Sequence, residues 1–531
     1  MYVRTKTFKN KDGSTRTYLY LVESVYNKGK VTQKNVACMG RVEDVQSSGL
    51  IDRLMESLSA YANQTKVEQK AQKVFPEIAR DYGLTLLFRR LWKEGGLEAT
   101  LKKYLEGGKE QYDVLEAIYS MILNRLSAPS SKRATAEWYR EDVHGGAEAG
   151  LDLQHYYRAM DLLLANKDSI EHHQYLKVRD LFHLDVTVVF VDTTMISFYT
   201  EVDRADPFRT LGHVKNGRHG DPQVVIGLLL SKEGYPIGHE VYPGSLTDAK
   251  ALPRMLTAIQ ERFSIKKAIL VGDRGMVSKD NLKALEDEGI DYIVGMRMRK
   301  VKEVKEDVLG RGGRYSSVKE NLEVKEVKVE DRRYVVCLNP LQQDHDWRKR
   351  QDVIEKLWEI VDQNKNVKEL IHHREYKKYL TITEAKTKVN LKKAEEEERY
   401  DGKWVLLTNT DLPTDEVALQ YKQLWQVERC FRDLKSDFEI QPAFHWTERR
   451  IRAHIFLCVL ALQLKWQFKV KFREAYPEES PERALKDLSR LQSVTLNDNG
   501  TRYTCRTDLQ GEAHKAFKAI GMRPPNRVIE A

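Results

Sequence analysis

Three acidic residues sit where metal-assisted phosphoryl transfer needs them. Asp192 ends the β-branched apolar run Val188-Val-Phe-Val191, and Asp273 ends a second run, Ile269-Leu-Val-Gly272. Such runs read as buried strands, so each delivers a carboxylate to a strand end. Gly272 and Gly275 flank the Asp273-Arg274 pair and allow close approach of backbone or ligand. The third acid, Glu428, belongs to a helical pattern that opens at Pro413-Thr-Asp-Glu416, with Thr414 as expected N-cap. Val417, Leu424, Val427, Phe431, Leu434 and Phe438 recur on one face of that helix, and Glu428 falls at the margin of the stripe. Trp425 and Arg432 lie on its polar side, while Tyr421 and Lys435 stand seven residues away in either direction. A carboxylate ringed by Tyr, Trp, Arg and Lys faces a polyanion. Taken singly, each acid also has a structural reading: Asp192 closing a turn, Asp273 paired with Arg274, Glu428 in a surface ion pair with Arg432. Together they match two-metal chemistry, in which carboxylates hold two ions about 3.5–4 Å apart. Mg²⁺, a hard cation, suits oxygen donors of this kind.

The elements that must position these acids are α/β in texture. From 184 to 300 apolar runs at 224–230, 237–241, 268–271 and 292–294 alternate with turn residues, and a helical pattern spans 249–263. Residues 301–402 are richer in Lys and Glu, with β alternation at 322–329 and a charged helix at 346–362. Strand texture returns at Trp404-Val-Leu-Leu-Thr408, so this block reads as a β-rich insertion, or else as an independent second domain. The remaining segments are a β-rich start and linker (1–70), a mostly helical stretch (71–183), the part carrying Glu428 (403–475) and a tail (476–531).

Order, spacing and local context resemble the DDE transposases of bacterial insertion sequences, in the branch whose signature helix carries Tyr, Arg, Glu and Lys. Tyr421, Glu428 and Lys435 stand at the signature spacings, and Leu424 occupies the usual Arg position. Val191-Asp-Thr-Thr194 and Gly272-Asp-Arg-Gly-Met276 are similar to the two Asp segments, and Pro243-Gly-Ser-Leu-Thr-Asp248 to a stretch between them. The resemblance implies an RNase H-like catalytic core interrupted by a β-rich insertion. It implies Mg²⁺-dependent cutting at an element's ends (Mn²⁺ substituting), joining of the 3′-OH to target DNA, and a homodimer on double-stranded DNA. Asp192, Asp273 and Glu428 would hold the metal, Tyr421 and Lys435 would contact phosphates, and the helical stretch 71–183 would bind the terminal inverted repeats. Competing readings are a nuclease of the same fold without strand transfer, and a non-catalytic DNA-binding descendant of a transposase.

Other features fit a nucleic-acid partner. The formal charge is +9 with a pI near 8.9. Lys215 and Arg218, Arg274, the cluster Arg297-Met-Arg-Lys300, and Arg449 with Arg450 are candidate phosphate contacts. Asp248 reads as an auxiliary acid or as a loop cap. The paired histidines 172–173 and 372–373 lack the spacing of metal ligands. Five scattered cysteines, without a C-x-x-C pair, suit a reducing cytoplasm, and the family resemblance implies a bacterial one with a place on the nucleoid. The most apolar run, 455–464, is too short to cross a bilayer.

Overall fold

The computed structural model describes residues 1–27, 30–59, 74–105, 110–184, 187–198, 206–211, 221–263, 265, 268–362, 374–382, 387–498 and 500–530. Two compact units emerge: Met1–Ala79 with Ser493–Thr507 and Asn526–Ala531, and Arg80–Gln492 with Asp508–Pro525.

In the smaller unit, β1 (Tyr2–Lys9), β2 (Thr15–Asn27) and β3 (Lys30–Arg41) form an antiparallel sheet in that order. β4 (Val74–Asp81) is a strand where the sequence suggested helix, because it pairs with C-terminal strands remote in the chain.

The larger unit is built on a ten-stranded mixed sheet. Its strands are β5 (Val188–Ser197), β6 (Thr210–Leu211), β7 (Pro222–Ser231), β8 (Pro236–Pro243), β9 (Ile269–Gly272), β10 (Asp291–Gly295), β11 (Ser316–Lys319), β12 (Leu322–Val329), β13 (Arg332–Leu338), and, after the short hairpin of β14 (Leu380–Ile382) and β15 (Thr387–Val389), β16 (Lys403–Thr408). The order is β11-β12-β13-β16-β10-β9-β5-β7-β6, with β8 also pairing β7. β5, β9 and β10 are mutually parallel, and β5, β7 and β8 antiparallel. All ten residues of β7 are buried, as its unbroken apolar run demands.

The β-rich part of 301–402 does not form a sheet of its own. β11–β13 extend the main sheet, since β13 pairs with β16 along its whole length. The helix that follows starts at Pro340, earlier than expected, and runs to Asp362; it packs a small separate core of Ile354, Leu357, Tyr379 and Ala394.

A helix of 28 residues, Glu448–Ala475, is buried nearly all round and carries the 455–464 run. It packs on the helices Val114–Ser127 and Leu153–Ala165 and on β8. Its two buried lysines are paired, Lys469 with Asp433 at 2.9 Å and Lys465 with Asp433 at 3.4 Å. Among the described residues no helix is long and apolar enough to cross a membrane.

A buried charge network ties the helical region to the sheet. Glu171, with no exposed side-chain surface, accepts from Lys167 at 2.8 Å, Arg262 at 2.8 Å and His239 Nδ1 at 2.8 Å. Burial alone would raise its pKa; Lys167, the His239 hydrogen bond and Arg262 outweigh burial and hold it at about 2. Asp168 and Glu240 still pair Arg262 and Lys167 without it, so Glu171→Ala, which strips the buried His239 of its acceptor, should cost about 1–3 kcal/mol in urea unfolding. Because the folded value lies below the ordinary 4.5, the stabilisation is complete above about pH 4.5 and is lost as pH falls toward 2. Acid titration of unfolding should therefore be steeper in that window for the wild type than for Glu171→Gln.

Candidate active site

The ladder between the parallel strands β5 and β9 runs Val188↔Ile269, Val189↔Leu270, Phe190↔Val271 and Val191↔Gly272. Asp192 and Asp273 are the next residues on the two strands, so they share one side of the sheet about 4.8 Å apart across the strands. Asp273 follows the end of β9, as expected. Asp192 does not end its strand: β5 continues to Ser197 because β7 keeps pairing it, Asp192 opposite Leu228.

Both aspartates line a cleft of about 740 Å³ together with Glu428, Tyr421, Trp425 and Arg274. Glu428 is exposed on the helix Trp425–Arg432, which packs on β5 and turns Val427, Cys430 and Phe431 inward. Among the described residues it makes no ion pair, with Arg432 or any other partner. The single helix expected from 414 is in fact two, Thr414–Lys422 and Trp425–Arg432, followed by a wider π turn over Asp433–Asp437. The join is overwound, with Leu424 N donating to Tyr421 O, and Val427 N to Leu424 O. Thr414 is the first helical residue rather than the cap, and its hydroxyl donates to Glu326. The apolar stripe is buried throughout, including Leu424.

Tyr421 points at the acids. Its hydroxyl donates to Asp273 Oδ1 at 3.4 Å, and burial, with Asp273 beside it, pushes its pKa well up. Gly295 makes the approach possible, since a Cβ there would stand 2.4 Å from the Tyr421 hydroxyl. A second support comes from Asp248, the first residue of the helix Asp248–Phe263. Its Oδ1 accepts from the buried Thr193 hydroxyl at 2.6 Å, and its Oδ2 would lie 2.9 Å from a Cβ at Gly275. Asp248 thus touches the residue after Asp192 and the turn after Asp273.

The rim is basic. Arg274, Arg297, Arg299, Lys300, Lys403 and Lys422 line the cleft against the three acids. Burial lowers the pKa of Lys403, and burial with neighbouring Lys319 lowers that of Lys422. Lys403 escaped the sequence reading; its only signal is its place at the start of β16, beside Trp404. Arg432 and Lys435 are not among the lining residues. Arg450 is held by Asp161 through two 2.7 Å bonds, and Arg449 by the same acid at 3.4 Å. Lys215 and Arg218, like His372 and His373, lie outside the described residues.

This packing predicts that Gly295→Ala destabilises the protein by about 1–3 kcal/mol through overpacking. Tyr421→Phe in the same chain should recover part of that loss in a double-mutant cycle of denaturation measurements.

The model of the transposase DDE domain matches residues 185–464, more than half of the chain, and the model described as IS1634 family transposase, N-terminal domain, matches residues 3–71. Among solved structures, the piggyBac transposase synaptic complex with hairpin DNA is 11% identical, with 78% of this chain and 80% of that chain covered and a TM-score of 0.37. The Mos1 transposase paired-end complex with left transposon end is 12% identical, with 35% of this chain and 60% of that chain covered and a TM-score of 0.15. No curated protein matches. On the strength of the domain model, which spans all three acids and the cleft they line, the chain belongs to the DDE transposase family.

Proposed function

We propose that the cleft holding Asp192, Asp273 and Glu428 is where this transposase cuts the ends of its element and joins them to target DNA. The observation that carries the reading is the convergence of these acids, from remote parts of the chain, on one basic-rimmed cleft. The strand order β8-β7-β5-β9-β10, antiparallel over its first three members and parallel over its last three, supports an RNase H-like core. In that core 301–402 is the insertion between the second Asp and the Glu. Tyr421 and Glu428 on the helix pair, with Lys435 in the π turn that follows, support membership of the Tyr-Arg-Glu-Lys branch, with Leu424 at the Arg position.

Carboxylate oxygens suit Mg²⁺, with Mn²⁺ a workable substitute. Among the described residues no three His, Cys, Asp or Glu side chains stand close enough to hold a metal ion. The two aspartates are set by the sheet, and the exposed Glu428 has the rotamer freedom to join them. Ions bound by these three residues supply an activated attacking oxygen and a stabilised leaving oxygen. The chain's own part is positioning. Arg274, Arg297, Lys300 and Lys422 grip the phosphates, and the partly desolvated Lys403 gains most from such a partner. Tyr421 fixes the Asp273 carboxylate, and Asp248 fixes the backbone beside both aspartates. Trp425, half-exposed at the rim, offers a flat apolar face to DNA. In the first reaction water attacks the phosphodiester at the element's end and frees a 3′-OH. In the second that 3′-OH attacks a target phosphodiester and displaces a target 3′-OH. Two copies of the chain, one for each end, complete the assembly on bacterial nucleoid DNA.

Alanine at Asp192, Asp273 or Glu428 should lower Mg²⁺-dependent cleavage of DNA bearing the element's ends on the order of 10³-fold, equivalent to about 4 kcal/mol. EDTA should abolish cleavage by the wild type. Unimpaired cleavage by any of these variants would sink the assignment, and cleavage without a strand-transfer product would point to a nuclease instead.

A further inference from the structure

The charge of the chain is concentrated at its start. Residues 1–41 hold nine Lys or Arg against two Asp or Glu, a local +7 where the whole chain carries +9. These residues build β1, β2 and β3. The register Arg4↔Tyr20, Lys6↔Tyr18 and Phe8↔Arg16, continued by Tyr18↔Arg41 and Val22↔Asn35, sorts the side chains by face. One face carries Tyr2, Arg4, Lys6, Tyr20, Gln33 and Asn35. The other carries Val3, Thr5, Thr7, Leu19, Leu21 and Gly40. The helix Val42–Ser47 packs on this second face, since a Cβ at Gly40 would stand 3.1 Å from Val45.

On the first face Tyr2 and Arg4 are exposed, Lys6 and Tyr20 are half-buried and Val22, paired with Tyr2 and Asn35, is buried; the polar groups of this face are nonetheless organised. Arg4 donates to Gln33, Gln33 donates to Tyr2, and Lys6 donates to Asn35 at 2.9 Å, bridging β1 to β3 across β2. Lys6 also lies 5.2 Å from the Tyr20 ring centroid. Exposed polar bridges of this kind contribute little to stability. They hold two cations and two amides at fixed positions on a pleated surface.

We propose that this face enters the major groove of duplex DNA and reads the ends of the element, an inference that deepens the transposase reading above. The major groove, about 12 Å wide, admits strand ribbons, and the axes of β1 and β3 stand about 9.6 Å apart across β2. Arg and Lys pair with guanine edges, and Asn and Gln with adenine edges. Tyr2 and Tyr20 are suited to the flanking phosphates and sugars. The residues that choose the sequence thus stand on the N-terminal sheet.

The test uses the full-length protein in EDTA and two fluorescent duplexes of equal length. One carries the terminal inverted repeat flanking the gene, and the other a scrambled version. Gln33→Ala/Asn35→Ala should cut the preference for the terminal duplex by about tenfold or more. Arg4→Ala/Lys6→Ala should weaken binding to both duplexes and flatten the salt dependence. Thr5→Ala/Thr7→Ala, on the opposite face, should bind as the wild type does. The assignment falls if both first-face variants bind normally, if the opposite-face variant does the same damage, or if the first-face variants change oligomeric state in place of DNA affinity. Wild-type cleavage of the terminal duplex in Mg²⁺ is scored separately. Cleavage alongside normal binding by the first-face variants removes this assignment and leaves the transposase reading standing. Absence of cleavage by the wild type removes that reading, whatever the binding shows.

Discussion

Two carboxylates on neighbouring parallel strands are held side by side by the backbone, and their repulsion is built into the fold. At an effective dielectric of about 20, unit charges about 5 Å apart repel by roughly 3 kcal/mol. The ladder from Val188↔Ile269 to Val191↔Gly272 leaves Asp192 and Asp273 no choice of neighbour. The surroundings answer that repulsion. Tyr421 donates to Asp273, Asp248 holds Thr193, Gly295 leaves room for the tyrosine, and six Arg and Lys side chains line the same cleft. Divalent cations are the remaining and largest source of relief, which is why the pair makes chemical sense only in a metal-dependent enzyme.

Rigidity is unevenly distributed around this pair. The aspartates follow the buried runs Val188–Val191 and Leu270–Gly272, and β5 is bonded on both sides. Behind the sheet, the long helix Glu448–Ala475 and the network on Glu171 bind the helical region to β8. Glu428, in contrast, is an exposed side chain at the edge of a short helix that follows an overwound join. Under the proposed reading, two fixed acids and one adjustable acid suit a site that must accept phosphates of different strands in successive reactions.

In the proposed division, chemistry and selection fall to different units. The cleft lies wholly within the larger unit, and its Arg and Lys side chains suit phosphates, which carry no sequence information. The sheet of β1–β3 lies wholly within the smaller one and presents amides and guanidinium groups, which do read base edges. A transposase needs both, because an enzyme that recognised only backbone would cut any DNA.

Much of the site was legible in the residues. Val188–Val191 and Ile269–Gly272 announce buried strands because a β-branched apolar run has few other stable placements. The stripe from Val417 to Phe438 announces helix because its spacing buries one face, and the acids follow the apolar runs or stand at the margin of the stripe. Partnership was not legible, because strand pairing joins residues remote in sequence. β7 extends β5 past Asp192, β16 draws β11–β13 into the main sheet, and C-terminal strands make Val74–Asp81 a strand. Likewise Lys403 reaches the cleft, while Arg450 is tied to Asp161. Local chemistry therefore determined which side chains were available for catalysis. Only the three-dimensional packing decided which stand together, since register and burial depend on contacts between segments that no local pattern contains.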